Sequence, residues 1–121
     1  FITQLARNYR SHPDILELPS RLFYGGGLVA CADPARSHAL EEWDGLPRRG
    51  FPVVFHGVEG REEREKGSPS WFNVSEVQVV LGYVARLVGG GGRHRVPASQ
   101  VAVVTPYRKQ ADKLARALER V

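Results

Sequence analysis

The sequence predicts an α/β fold in which a parallel sheet is flanked by helices. Three short apolar segments, FITQL (1–5), FPVVFHG (51–57) and QVAVVT (100–105), each precede a segment of helical character. The second segment is an uninterrupted apolar run, which is typical of a strand that is covered on both faces. Strands that alternate with helices predict parallel pairing through right-handed crossovers.

The first helix is predicted over 11–24. Ser11 can cap its N-terminus and Pro13 fits its first turn. Pro19 is expected to kink or divide the helix, because proline lacks the N–H donor that an interior position needs. The glycines at 25–27 are expected to end it.

Two further helices are predicted over 73–88 and 106–121, both from apolar residues at helical spacing. Asn73, with a glutamate three residues later, has the form of a capping box that opens the earlier helix. Thr105 can cap the later helix, and Pro106 then occupies its first position.

The remaining segments are interpreted as loops. The glycines at 89–92 are expected to end the second helix, and the basic stretch 93–99 is typical of a linker. The stretches 25–50 and 58–72 are expected to be mainly solvated.

Length and composition fit one domain, with 121 residues of which 42% are apolar. Lys and Arg outnumber Asp and Glu by 17 to 13, a mild basic bias that permits a nucleic-acid partner without requiring one. The single cysteine, Cys31, forms no internal disulfide and favours a reducing compartment. No apolar run approaches the roughly 18 residues of a membrane span, so no membrane partner is expected. Because the chain starts at Phe1 and ends within a helical pattern, we expect a piece truncated at both ends.

Basic and aromatic residues follow the predicted strands, in ARNYRSH, HGVEG and TPYRKQ. In open parallel sheets ligands bind at the carboxyl ends of the strands. We therefore expect one shared edge, formed by Arg7, Tyr9, Arg10, His12, His56, Thr105, Tyr107 and Arg108.

The chain lacks the groups that would let it catalyse a reaction by itself. It has no phosphate-binding P-loop, no dinucleotide-binding glycine motif and no metal-ligand spacing among its four histidines, so no metal site is predicted. An arginine after a strand can still neutralise charge on a γ-phosphate supplied across an interface, an effect of about 10³ to 10⁵ in rate. A neighbouring tyrosine can stack on a base. The alternative is that Tyr9 and Arg10 simply tie a loop to the sheet.

These same segments resemble a known family. NYRSHPDIL resembles motif IV of superfamily 1 helicases, and VAVVTPYRKQ resembles a segment of their up-frameshift-one-like branch. The intervening stretches resemble the Moloney-leukaemia-virus-ten and Armitage group of RNA helicases in consistent order: LPSRLFY, ACADP, GLPRRGFPVVFHGVEG and EREKGSPSWFN. The likeness covers nearly the whole chain.

The resemblance implies that residues 1–121 are part of the second RecA-like domain of an ATP-dependent RNA helicase that moves 5′ to 3′. Arg10 matches the motif IV arginine that contacts the γ-phosphate, and Tyr9 matches an aromatic residue near the adenine. The family segment near the single-stranded RNA track matches Thr105, Pro106 and Tyr107. We add the neighbouring Arg108 to this group of expected RNA-binding residues.

The resemblance also implies partners and cofactors. ATP and Mg²⁺ would be held mainly by a first RecA-like domain of the same protein, so the fragment alone is expected to be inactive. It further implies a role in RNA silencing, Argonaute-type partners and a location in the cytoplasm, including ribonucleoprotein granules. A rival hypothesis stays open, in which a RecA-like scaffold serves as a non-enzymatic RNA-binding or protein-docking module.

Overall fold

The computed structural model describes residues 1–90 and 94–121. The chain divides into a first unit, Phe1–Phe55, and a second unit, His56–Val121. The predicted boundary between the glycine run and the linker, at 91–93, lies outside the described residues.

The first unit is built on a parallel strand pair. Strand β1 (Arg7–Asn8) pairs with β2 (Val29–Ala30), with Arg7 opposite Val29, and helix α1 (Pro13–Phe23) connects them. A short helix, α2 (Pro34–Ser37), follows. The predicted parallel α/β fold is confirmed by this pair and its connecting helix.

The first strand lies later in the chain than predicted. The Val29 N–H at the start of β2 donates to the Ala6 carbonyl oxygen, and the Cys31 N–H directly after β2 donates to the Asn8 carbonyl oxygen. Residues 1–5 lie beyond this ladder, and large apolar side chains there are exposed, such as Leu5 at 83%. The prediction of a strand at 1–5 was wrong because a strand is defined by its partner, and β2 reaches only 6–8.

Helix α1 is capped by a residue that differs from the predicted one. His12 is the N-cap, and its Nδ1 accepts the Asp14 N–H at 3.1 Å. Pro19 does not divide the helix, because proline removes a single donor and the surrounding bonds persist. The C-terminal stop is confirmed: Gly26 has a φ of 81° and donates its N–H to the Ser20 carbonyl at 2.9 Å.

The second unit combines a hairpin with two helices. Strands β3 (Glu63–Arg64) and β4 (Trp71–Phe72) are antiparallel, and they are followed by α3 (Val74–Gly89), a 3₁₀ turn (Ala98–Gln100) and α4 (Arg108–Leu118). Helix α4 packs against both α3 and β4. The core between them contains Phe72, Val77 and Leu114.

The helix predictions for this unit are confirmed except at one terminus. Asn73 caps α3 by accepting the Glu76 N–H at 3.2 Å, which is one half of the predicted capping box; the other half is replaced, because the Asn73 N–H donates to Gln110 Oε1 instead of to Glu76. Helix α4 begins at Arg108, so Pro106 is not its first residue. Thr105 Oγ1 instead accepts the Tyr107 N–H at 3.4 Å, within the turn that precedes the helix.

Three other segments differ from their predicted state. Neither 51–57 nor 100–105 forms a strand ladder within the described residues. Phe55 and Val104 are 96% and 93% exposed, whereas Val54, Val101 and Thr105 are half-buried, so only part of each apolar run is covered within the described chain. The stretch 58–72 is not merely solvated, because it holds the β3–β4 hairpin and buries Phe72.

Among the described residues, none of the helices is both long and apolar enough to cross a membrane.

Candidate nucleotide-contact and nucleic-acid-contact segments

A tight turn at the carboxyl end of β1 presents Tyr9 and Arg10. The Asn8 Oδ1 accepts the N–H groups of Arg10 at 3.0 Å and Ser11 at 2.8 Å. An asparagine that bonds the backbone two and three residues later is a standard way to fix a turn. The backbone around Arg10 is therefore set by a neighbour in sequence.

The side chains of this turn face outward. Tyr9 is 70% exposed, and Arg10 is also exposed. Within the described part of the chain, the Arg10 guanidinium makes no hydrogen bond or ion pair. Within the described residues neither side chain packs inward to tie the loop to the sheet, so a cation and an aromatic ring are open to solvent here. Whether Tyr9 and Arg10 contact a ligand stays a prediction.

His12 does not join these exposed residues, contrary to the expected shared edge. It is only 5% exposed, and its Nε2 lies 2.7 Å from Glu41 Oε1. Because it caps α1 with one ring nitrogen and contacts Glu41 with the other, its side chain is turned into the first unit. His12 thus positions the start of α1 rather than reaching for a ligand at the rim.

The TPYR segment (Thr105–Arg108) lies in the second unit, just before and at the start of α4. Thr105 is half-buried, whereas Pro106 and Tyr107 are exposed, the latter by 48%. Arg108 is exposed too, but its Nε donates to Asp112 Oδ1 at 3.0 Å on the next turn. Three of these four residues are therefore open to solvent, and the arginine is already paired with a carboxylate.

The first turn of α4 is anchored by a buried amide that sequence reasoning did not single out. Gln110 is 4% exposed, and its Oε1 accepts the Asn73 N–H at 2.9 Å. Its Nε2 donates to Glu76 Oε2 at 3.1 Å, and Lys109 N–H donates to Ser70 Oγ at 3.0 Å. The signal was present in the sequence, because Gln110 is the last residue of the TPYRKQ motif.

Charged groups surround the same turn of α4. Lys109 Nζ lies 2.6 Å from Glu65 Oε2, and this hydrogen bond, with the charge of Lys109, lowers the pKa of the Glu65 carboxyl. Lys113 Nζ stands 3.8 Å from the centroid of the Phe72 ring, and the Arg64 guanidinium lies 5.1 Å from the ring of Trp71. These contacts fasten the hairpin to α4, because Lys113 covers the buried Phe72 ring and also lies 3.9 Å from Glu65 Oε1.

The remaining residues of the expected edge are also exposed. Arg7 is exposed on β1, and His56 is exposed in the second unit, where its Nδ1 lies 2.8 Å from the Tyr83 hydroxyl. Tyr9 and Arg10 belong to the first unit and the TPYR segment to the second, so their common edge stays a prediction.

One group of possible metal ligands is brought together, although histidine spacing had predicted none. His12, His38 and Glu41 place their ligand atoms within 4.8 Å of one another. The histidines are 26 positions apart in the chain, as their numbers show, so no local motif could have indicated the cluster.

Comparison with known proteins finds a matching family and several helicases that are similar to this chain over most of its length. A family described as an AAA domain matches residues 1–121. The protein named "RNA helicase Mov10l1" is 50% identical in Homo sapiens and 48% identical in Mus musculus, over 93% of this chain. A protein of Methanocaldococcus jannaschii named "Uncharacterized ATP-dependent helicase MJ0104" is 32% identical over 98% of it.

The chain therefore belongs to the AAA domain family, within the Mov10-like group of superfamily 1 helicases. Its parallel strand pair and flanking helices are those of a partial RecA-like α/β fold. The chain spans 9% of the human and mouse relatives and 18% of the Methanocaldococcus protein.

Proposed function

We propose that residues 1–121 form part of the second RecA-like domain of an ATP-dependent RNA helicase that moves 5′ to 3′. In this proposal Arg10 contacts the γ-phosphate of ATP and Tyr9 lies near the adenine. The observation that carries it is the Asn8 turn, which holds an exposed guanidinium without any partner in the described chain directly after a parallel strand. That is the position where parallel sheets bind ligands.

ATP and Mg²⁺ would be held mainly by a first RecA-like domain of the full-length protein. Arg10 would supply positive charge to the γ-phosphate as negative charge develops there during hydrolysis, and such an arginine contributes about 10³ to 10⁵ in rate. Tyr9 would orient the nucleotide by stacking. The names of the relatives include "ATP-dependent helicase" and "RNA helicase", and these names support the use of ATP in this proposal.

Single-stranded RNA is the proposed substrate of the TPYR segment. The exposed Pro106 and Tyr107 offer an apolar and an aromatic face for bases, and Thr105 adds a hydroxyl. Arg108 can contact RNA only if its guanidinium leaves Asp112 or binds the RNA and Asp112 at the same time. A cytoplasmic location, with ribonucleoprotein granules, a role in RNA silencing and Argonaute-type partners belong to the same proposal.

The test is Arg10→Ala in the full-length protein, with ATP hydrolysis measured at saturating RNA. We expect turnover to fall by about 10³ or more, with circular dichroism unchanged because the side chain is exposed. Arg21→Ala is the matched control: Arg21 is 75% exposed on α1, lies 4.0 Å from Glu17, and has no proposed role. Equal turnover for Arg10→Ala and the wild type would remove Arg10 from the mechanism, whereas no ATP hydrolysis by the wild type would favour the non-enzymatic module.

A further inference from the structure

A buried histidine, a second histidine and a glutamate converge in the first unit. His12 precedes α1, whereas His38 and Glu41 follow α2. The shortest separations are 2.7 Å from His12 Nε2 to Glu41 Oε1 and 3.8 Å from His38 Nε2 to the same oxygen. The two imidazole rings stand edge to face with centroids 4.4 Å apart.

The hydrogen bonds of His38 determine which of its nitrogens is free. The Ser37 hydroxyl donates its one proton to the Asp33 carbonyl at 3.1 Å, so its oxygen is left to accept from His38 Nδ1 at 2.9 Å. The proton of a neutral His38 then sits on Nδ1 and the lone pair on Nε2. That lone pair faces Glu41 Oε1 at 3.8 Å, and positive charge between them, carried either by a metal ion or by a proton on Nε2, would stabilise the arrangement.

His12 can supply a second nitrogen by moving its proton. In the neutral ring, Nδ1 accepts the Asp14 N–H, so Nε2 carries the proton that Glu41 accepts. Metal binding at Nε2 requires this proton to move to Nδ1, which then gives up its cap bond from the Asp14 N–H, and Asp14 Oδ2, now at 3.7 Å, must approach to accept the new N–H. Metal-bound histidines commonly donate their other N–H to a carboxylate, so Asp14 is a suitable outer partner.

We propose that His12 Nε2, His38 Nε2 and a Glu41 carboxylate oxygen form a binding site for Zn²⁺. Two imidazoles and one carboxylate are a donor set that zinc accepts, with the fourth position taken by water. Tetrahedral zinc with bonds of about 2.1 Å separates its ligand atoms by about 3.4 Å. The separations to Glu41 Oε1 of 2.7 and 3.8 Å lie on either side of that value, so small side-chain movements complete the site.

The ligand chemistry excludes Mg²⁺ as the natural occupant, because magnesium prefers oxygen ligands and keeps several waters. The site is thus separate from any Mg²⁺ that accompanies ATP. Zinc here would join the start of α1, two residues after Arg10, to the segment that follows α2. Bound zinc would hold the end of the Arg10 turn, and the water in its fourth position makes this an open site rather than the closed four-residue site of structural zinc.

The test measures Zn²⁺ stoichiometry in the full-length protein by competition with a chromophoric chelator. We expect His38→Ala to lose one equivalent relative to the wild type. His38 is half-exposed and does not cap α1, so this variant removes a ligand without removing the helix cap. A matched control is His56→Ala, which alters an exposed histidine of the second unit and is expected to keep the wild-type stoichiometry.

A second variant tests the hydrogen bond that orients His38 rather than the number of metal ligands. Ser37→Ala removes the acceptor for His38 Nδ1–H and should weaken Zn²⁺ binding by about tenfold or more, as outer partners of metal ligands do. Addition of Zn²⁺ should also raise the unfolding temperature of the wild type and not that of His38→Ala. Unchanged stoichiometry in His38→Ala, or an equal loss in His56→Ala, would overturn the proposal.

Discussion

The two units hold their exposed motif residues by different means. In the first unit the Tyr9–Arg10 turn is fixed by Asn8, its immediate neighbour in sequence. In the second unit Ser70 and Asn73 bond Lys109 and Gln110, which directly follow the TPYR segment at the start of α4, across 39 and 37 positions of the chain. The first motif therefore depends on local geometry, whereas the second depends on the packing of α4 against the hairpin.

This difference predicts that the loss of buried apolar contacts should lower the free energy of unfolding most in the second unit. Leu114 is 5% exposed where α4 packs on α3 and β4. Leu114→Ala should lower the free energy of unfolding by about 2 to 5 kcal/mol, because it removes buried methyl groups and leaves a cavity. Urea unfolding followed by circular dichroism would measure the loss.

The control for that substitution is Leu18→Ala, which truncates a leucine of α1 that is 64% exposed. It should cost well under half as much, since little apolar surface returns to water. Equal costs for the two variants would mean that the packing of α4 does not carry the stability of the second unit.

A smaller effect is expected in the first unit from Asn8→Ala. The Arg10 and Ser11 N–H groups would lose their acceptor and turn to water, at a cost of about 1 kcal/mol. In the full-length protein, ATP turnover should fall by less than in Arg10→Ala, because the guanidinium is retained but less well placed. Asn8→Asp, which keeps the acceptor oxygen, should retain most of the stability and most of the ATP turnover of the wild type. A loss of stability as large as that of Leu114→Ala would show that the turn is not locally organised.

The smallest effect concerns the ion pair on the hairpin. Lys109 lowers the pKa of Glu65, so folding gains stability from this carboxylate above its ordinary pKa. That stability is lost as the pH falls through the lowered pKa of the folded state. The effect should be small because Glu65 is 48% exposed and solvent screens the pair.

Glu65→Gln should therefore lower the free energy of unfolding slightly at neutral pH and make no difference in acid, with the neutral-pH effect shrinking in high salt. Glu42→Gln, at another exposed glutamate, is the control for the loss of one surface charge. A Glu65→Gln effect that grows as the pH falls would contradict the assignment of the ion pair.

Helices and their termini were predictable because their signals are local. The Asn73 cap of α3 and the glycine stop after α1 follow from residues within one turn of the helix end. Strands were less predictable, since the apolar runs at 51–57 and 100–105 carry the right composition but need a partner to form a ladder. The same limit applies to His12, whose burial is decided by Glu41, a residue 29 positions later.

The sequence by itself determined the α/β class, the helices and the family, because these depend on periodicity, on caps and on motifs that lie within short stretches. It also singled out the turn at Tyr9 and Arg10, which the preceding residue closes, while the roles of these two side chains stay a prediction. Only the tertiary structure decided that His12 is buried, that Gln110 anchors α4, and that His12, His38 and Glu41 meet. Each of these outcomes depends on side chains that approach one another only when the chain folds, and no local pattern encodes such distances.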